Sequence, residues 1–121
     1  MENKIIIRKE TFAIVKAKKN LAGAFANIQD RDEITVIIDR DKLNKEDIIE
    51  LEKDYKLLTF DMLLPFNLTG FIAKISTALA EEKIPIFVIS SYSTDHVLIK
   101  KKYLEKAKAK LESLGFKIIE K

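Results

Sequence analysis

The sequence predicts an α+β fold, and three observations lead to that prediction. Strand and helix periodicities follow one another from Leu57 onward in the order β-α-β-β-α-β. Apolar residues make up 47% of the 121 residues, enough for a buried core, and 34% of the residues are charged. No apolar run approaches the ~20 residues that a transmembrane helix needs. We therefore expect one compact domain or two small, interdependent halves.

The N-terminal half is predicted to begin with strands separated by charged turns. Isoleucine, valine and phenylalanine dominate three segments, a composition typical of strands: residues 5–7, 12–17 and 34–38. Lys9 and Glu10 separate the first two segments and predict a hairpin between them. Residues 21–26 are ambiguous between a loop and a short helix. Asn44 can cap a helix from Lys45 to about Asp54.

A helix and two strands are predicted in the middle of the C-terminal half. After a strand from Tyr55 to Leu64, apolar residues recur at the i, i+3, i+4 spacing of a helix with one buried face: Leu68, Phe71, Ile72, Ile75 and Leu79. The period then changes, and short apolar runs at residues 86–89 and 97–99 predict two strands joined by a polar tip.

A second helix and a final strand complete the chain. Apolar residues lie on one stripe of residues 101–114, and Gly115 is placed to end that helix. Residues 116–119 then form the last strand. The resulting order is the ferredoxin-like one, in which a four-stranded antiparallel sheet carries both helices on one face. Because the central strands are apolar on both faces, we expect the second face to be covered by the N-terminal half, by another subunit or by both.

Two segments carry a resemblance to a known family. Leu68-Thr69-Gly70-Phe71-Ile72 and the segment from Ile84 to Ile99, with the helix after it, resemble the ACT domain. More narrowly, the chain resembles small tandem-ACT proteins related to the aspartate kinase regulatory domain and to CASTOR-type amino-acid sensors. The likeness covers Tyr55 to Phe116. Ser91 and His96 depart from the family pattern at the expected pocket.

This resemblance implies a division into a degenerate N-terminal ACT-like half, residues 1–54, and an ACT domain, residues 55–121. It also implies a non-catalytic regulatory protein that binds an amino acid or similar small-molecule ligand and forms a homodimer. The ligand-binding residues expected on this basis are Asn67, Thr69, Gly70, Phe71, Ile72, Ile89, Ser90, Tyr92, Thr94 and Asp95.

The residue types alone leave two interpretations of this segment open. Free N–H groups at a helix start can hold a carboxylate, and Gly70 lets an anion approach the backbone. Equally, Thr69 and Gly70 can be an ordinary cap, with the glycine required for close packing against a strand. Asp95 can accept from a ligand ammonium group, or it can serve the hairpin tip together with its serine and threonine neighbours.

Composition argues against several other classes of function. Cysteine is absent and His96 is the one histidine, so most nucleophilic schemes and metal sites lack their residues, and we expect no enzyme, no metal and no cofactor. The acidic residues between Asp30 and Asp41 are interpreted as solvated charges. The formal charge of +3 is mild, and residues 97–99 are aliphatic where an RNA-recognition domain carries aromatic residues. We therefore expect neither nucleic acid nor membrane as a partner.

The leading hypothesis is a small-molecule sensor, and the alternative is a dimerisation or protein-interaction module that binds no ligand. The start of the chain, with a strand-like run at residues 5–7, lacks the apolar stretch of a signal peptide, so we expect a cytoplasmic protein.

Overall fold

Eight strands and two α-helices make up the part of the chain that the structure, a computed structural model, describes: residues 3–62 and 70–121. The elements in chain order are β1 (Lys4–Ile7), β2 (Phe12–Ala17), β3 (Ala26–Gln29), β4 (Ile34–Asp39), β5 (Ile48–Asp61), α1 (Phe71–Glu81), β6 (Phe87–Ser90), β7 (Asp95–Lys100), α2 (Leu104–Ser113) and β8 (Lys117–Glu120). Neither described helix, at 11 and 10 residues, is long and apolar enough to cross a bilayer.

The chain forms two compact units. We call the part up to Lys9 together with Lys56–Lys121 the helical unit, and Glu10–Tyr55 the strand unit. The first half of β5 belongs to the strand unit and its second half to the helical unit. The sequence suggested one division, between residues 54 and 55; the contacts divide the chain at two places, between Lys9 and Glu10 and between Tyr55 and Lys56.

The helical unit has the predicted ferredoxin-like α+β fold with one added strand. Its strands lie in the order β6-β7-β5-β1-β8. β1 pairs antiparallel with β5 and parallel with β8, so it lies between these two strands. The predicted four-stranded antiparallel sheet thus gains a fifth strand and one parallel pair. β1 comes from before the strand unit, and its pairing is not visible in local periodicity.

Both helices pack on one face of this sheet, as predicted. Alternate residues of β1, β5 and β7 share a buried cluster with residues of α1 and α2, and alternation along a strand places them on the same face. The members that are fully buried or nearly so are Ile5, Ile7, Leu58, Phe60, Val97, Ile99, Ile75, Leu79, Ala107 and Leu111.

The opposite face of the helical unit's sheet is apolar too, but it is not open to solvent. Leu57 and Leu98 are 0% exposed and His96 is 7% exposed in the single chain. Ile6 and Ile119, which pair with each other and lie on the same face, are half-buried. The expectation that this face is covered is therefore confirmed for its central strands.

The strand unit is an antiparallel sheet in the order β3-β4-β2-β5. Within residues 10–55, all of which the structure describes, there is no α-helix. Residues 21–26, which the sequence left ambiguous, contain a turn that leads into strand β3. The helix predicted from Lys45 to Asp54 is wrong: a single 3-10 turn, Lys45–Asp47, follows the cap at Asn44, whose side chain accepts from Glu46 N at 3.2 Å. Pairing with β2 then draws residues 48–55 into β5 despite their helix-forming composition.

The hairpin predicted between the first two strands is wrong as well. β1 pairs with β5 and β8, and β2 pairs with β4 and β5. Lys9 N donates to Lys121 O at 2.7 Å, and the buried Lys56 donates from Nζ to Lys9 O at 2.8 Å. These bonds hold the end of β1 in the helical unit, so the chain does not turn back on β1.

Candidate functional site

The predicted helix start is built around the backbone of Gly70. This residue precedes α1 with φ +85° and ψ −4°, a left-handed conformation, and its carbonyl accepts from Lys74 N at 3.0 Å. No described atom lies within 4 Å of where a Cβ would be. Among the described residues, none packs closely enough against Gly70 to require a glycine. The positive φ does require one, because other residues reach it only with strain.

The first turn of α1 has the properties of an anion site. It carries no acidic residue, and no described side chain caps it. The first N–H groups of a helix have no partner within the helix, and the dipole makes this end positive. Gly70 is exposed, and Phe71 and Ile72 are half-buried. Asn67 and Thr69 lie outside the described residues.

The hairpin between β6 and β7 satisfies many of its own polar groups. Ser91 donates to Thr94 O from its backbone N at 2.8 Å and from Oγ at 3.1 Å. Tyr92, at the tip, is 80% exposed. Thr94 and Ser91 thus have a local structural role, as the hairpin interpretation predicts.

Asp95 is held by its partner across the hairpin. Ser90 and Asp95 are opposite each other in the register, and Ser90 Oγ donates to Asp95 Oδ1. Asp95 is half-buried. Because Val97 lies on the face that carries the helices, alternation places Asp95 on that face as well. Its carboxylate is thus on the side of the sheet where α1 lies.

Contacts within the helical unit bring these two segments to the same end of the sheet. The rings of Phe71 and Phe60 meet edge to face with centroids 5.3 Å apart, which fixes the start of α1 beside the end of β5. One residue earlier on β5, Thr59 Oγ1 is hydrogen-bonded to His96 Nδ1 at 3.0 Å. Asp95 immediately precedes that histidine. Ile89 lies elsewhere: it pairs with His96, on the face opposite the helices.

The pair formed by His96 and Thr59 is the feature that the sequence did not reveal. Burial lowers the pKa of His96, the charge of Arg8 lowers it further, and the charge of Asp95 acts in the opposite direction. The sequence signal was a lone threonine within the apolar run from Leu57 to Phe60. Its partner becomes visible only when β5 and β7 are paired.

Metal ligands do not come together in the described part of the chain. No group of three or more histidine, cysteine or acidic side chains lies where it could hold an ion.

The chain was compared with protein families, with curated proteins and with solved structures. A family model of the ACT domain matches residues 50–113, more than half of the chain. No curated protein shows significant sequence similarity to this chain.

Several solved structures have this fold and align with 90% or more of the chain. A protein of Agobacterium tumefaciens, Atu0741, is 20% identical, covers 100% of this chain and 95% of its own, and superposes with a TM-score of 0.84. The aspartate kinase of Clostridium acetobutylicum is 18% identical over 92% of this chain and 34% of its own (TM-score 0.70). The regulatory subunit of aspartate kinase from Thermus thermophilus, in its ligand-free form, is 11% identical over 90% and 95% (TM-score 0.63).

Proposed function

This chain belongs to the ACT domain family, and from that premise we propose that it is a non-catalytic regulatory protein that binds an amino acid or a similar small ligand. Similarity to proteins whose names describe aspartate kinase regulation supports the regulatory role. One observation carries the proposal: a helix start that no described side chain caps and a carboxylate lie at the same end of one sheet. The division into residues 1–54 and 55–121 and a cytoplasmic location remain predictions.

Each end of the ligand would have its own partner. The N–H groups of Phe71 and Ile72 hold the ligand carboxylate, since unpaired donors and the positive end of the helix dipole coincide there. Asp95 holds the ammonium group, which takes the place of Ser90 Oγ as donor to the carboxylate. The two charges of a zwitterion are thereby bound separately.

A thermal-shift screen against the twenty amino acids tests this function. A ligand present at about 100 times its dissociation constant adds roughly 2.7 kcal/mol, which raises the melting temperature by on the order of 10 °C. A flat response to all twenty would contradict ligand binding and favour the alternative, a dimerisation module without a ligand.

Two glycines provide a matched test of the carboxylate site. Gly70 and Gly115 both have positive φ, +85° and +97°, and for neither does a described atom lie within 4 Å of where a Cβ would be. Replacing either with alanine should therefore lower stability by a similar amount, about 1 kcal/mol. We expect Gly70→Ala alone to weaken ligand binding, because only Gly70 adjoins the site. Equal loss of affinity in both variants would mean that the effect is one of stability.

A second pair of variants, at Asp95 and Ser90, tests the ammonium site. Asp95→Asn should reduce affinity by about 1.5–3 kcal/mol, the range for a hydrogen bond to a charged group. Ser90→Ala removes the internal donor to that carboxylate but leaves its charge, so affinity should stay the same or rise. If both variants lower only the stability of the ligand-free protein, Asp95 is a hairpin residue and has no part in binding.

A further inference from the structure

A second candidate site lies in the strand unit, where β2 and β3 end and β4 and β5 begin. A cleft of about 310 Å³ opens at this end of the sheet. Its apolar lining consists of the buried Ala17, the half-buried Ile34 and the exposed Ile49. Ligand pockets start at about 300 Å³, so the cleft suits a small molecule and is too small for a dinucleotide.

A β-bulge directs Ile49 into this cleft. Lys16 pairs with Glu50 and Ala17 pairs with Ile48, so Ile49 has no partner on β2. Its side chain is 52% exposed. Bulges are common beside functional sites, where they change the direction of one side chain. An exposed isoleucine in this position offers apolar contact to a ligand.

The two rims of the cleft carry opposite charge. Lys16 and Lys18, at the end of β2, contribute +2, and the turn Asp30–Glu33, with three carboxylates and Arg31, contributes −2. Among the described residues, neither lysine forms an ion pair across the cleft, although the adjacent Lys19 pairs with Asp47 at 3.8 Å. The cleft is thus lined by both signs of charge, and no ion pair within 4 Å joins its lysines to its carboxylates among the described residues.

We propose that this cleft binds a small zwitterion with an aliphatic body. The carboxylate of the ligand lies between Lys16 and Lys18, and its ammonium group faces Asp32 and Glu33. The aliphatic part lies on Ile34 and Ile49. This site is independent of the one at Gly70 and Asp95, since all its residues belong to the strand unit.

Amide chemical shifts in the full-length protein distinguish the two sites. The probes are leucine, leucinamide, which lacks the carboxylate, and 4-methylpentanoate, which lacks the ammonium group. We expect leucine to shift the amides of residues 16–18 and 30–34, and both analogues to shift them far less. Shifts confined to residues 70–72 and 90–95 would overturn this proposal while supporting the proposed function. An equal response to leucinamide would overturn it as well, because the lysines would then be irrelevant.

Charge-removing variants test each rim against a neighbouring control. Lys16→Gln should weaken leucine binding at the cleft about tenfold, the loss expected for one charge-assisted hydrogen bond. Lys19→Gln, whose lysine is already paired with Asp47, should leave it unchanged. On the acidic side, Glu33→Gln should likewise weaken leucine binding. Glu46→Gln, whose residue does not line the cleft, is the control and should leave binding unchanged. Unchanged affinity in both Lys16→Gln and Glu33→Gln would overturn the proposal.

Discussion

His96 makes the stability of the protein depend on pH. The pKa of this 7% exposed side chain is lowered, first by burial and then by Arg8. The unfolded chain, with a pKa of about 6.5, therefore binds the proton more readily than the folded one. Stability is fully present above pH ~6.5 and is lost as the pH falls towards the lowered pKa, by at most about 1.36 kcal/mol per pH unit.

Urea unfolding between neutral and mildly acidic pH, with His96→Gln beside the natural protein, measures this effect. The natural protein should lose stability faster than the variant as the pH falls below about 6.5. Other groups that titrate on unfolding are common to both proteins, so the difference isolates His96. Parallel curves would mean that the histidine is protonated equally in both states.

Lys83 marks a position where a glycine should stabilise the protein. It follows α1 with φ +58°, and Ile84 N bonds back to Leu79 O at 3.1 Å. Gly115 occupies the same place after α2, where Phe116 N bonds to Leu111 O at 3.2 Å. A lysine in this left-handed conformation is strained, and a glycine is not.

We therefore expect Lys83→Gly to raise the free energy of unfolding by about 0.5–1 kcal/mol. Gly115→Ala should lower it by a similar amount, and denaturant titration measures both changes. A destabilised Lys83→Gly variant would show that the lysine side chain contributes more than its backbone strain costs.

Among the elements, β1 joins two other strands of the helical unit's sheet. It pairs with β5 on one side and β8 on the other, and Ile5 and Ile7 face the helices with 0% and 1% exposure. Ile5→Ala should cost about 2–5 kcal/mol, as removal of a buried side chain does. Ile6→Ala, on the same strand but half-buried on the other face, is the control and should cost less. Equal losses would contradict the assigned faces.

The elements predicted correctly are those that depend on local pattern. The stripes of α1 and α2 and the apolar runs of β6, β7 and β8 are periodic over a few residues, so the sequence shows them directly. β1 beside β8 is a pairing over more than a hundred residues of chain, and no local pattern encodes it. Residues 48–54 formed a strand against their composition because pairing with β2 outweighs propensity.

The same distinction applies to the candidate site. Gly70 and the polar tip at residues 90–95 were recognisable as sequence motifs, and the structure places both at one end of the sheet. The role of Thr59 depends on its pairing with His96, and the assignment of Ile89 to the opposite face depends on the register. Those facts follow from strand order, which the motifs do not contain.

For the whole molecule, the structure changes the reason for expecting a dimer. The sequence argued from an apolar sheet face that needed cover, but Leu57 and Leu98 are already buried in the single chain. The sheet edges offer surface for association: among the described strands, β6 pairs only with β7, β3 only with β4 and β8 only with β1. Two of these edges carry an exposed apolar residue, Val88 on β6 and Ile28 on β3, both 38% exposed.

We expect a homodimer that forms through the edge of β6, where the strand belongs to the same unit as the proposed ligand site. Val88→Lys places a charge on that edge, which opposes strand pairing, and should yield a monomer in light scattering. Ile28→Lys makes the same change at an equally exposed position on β3 and should leave the dimer intact. A dimer lost only with Ile28→Lys would move the contact to the strand unit. A natural protein that is monomeric at high concentration would refute association, and regulation would then have to act within a single chain.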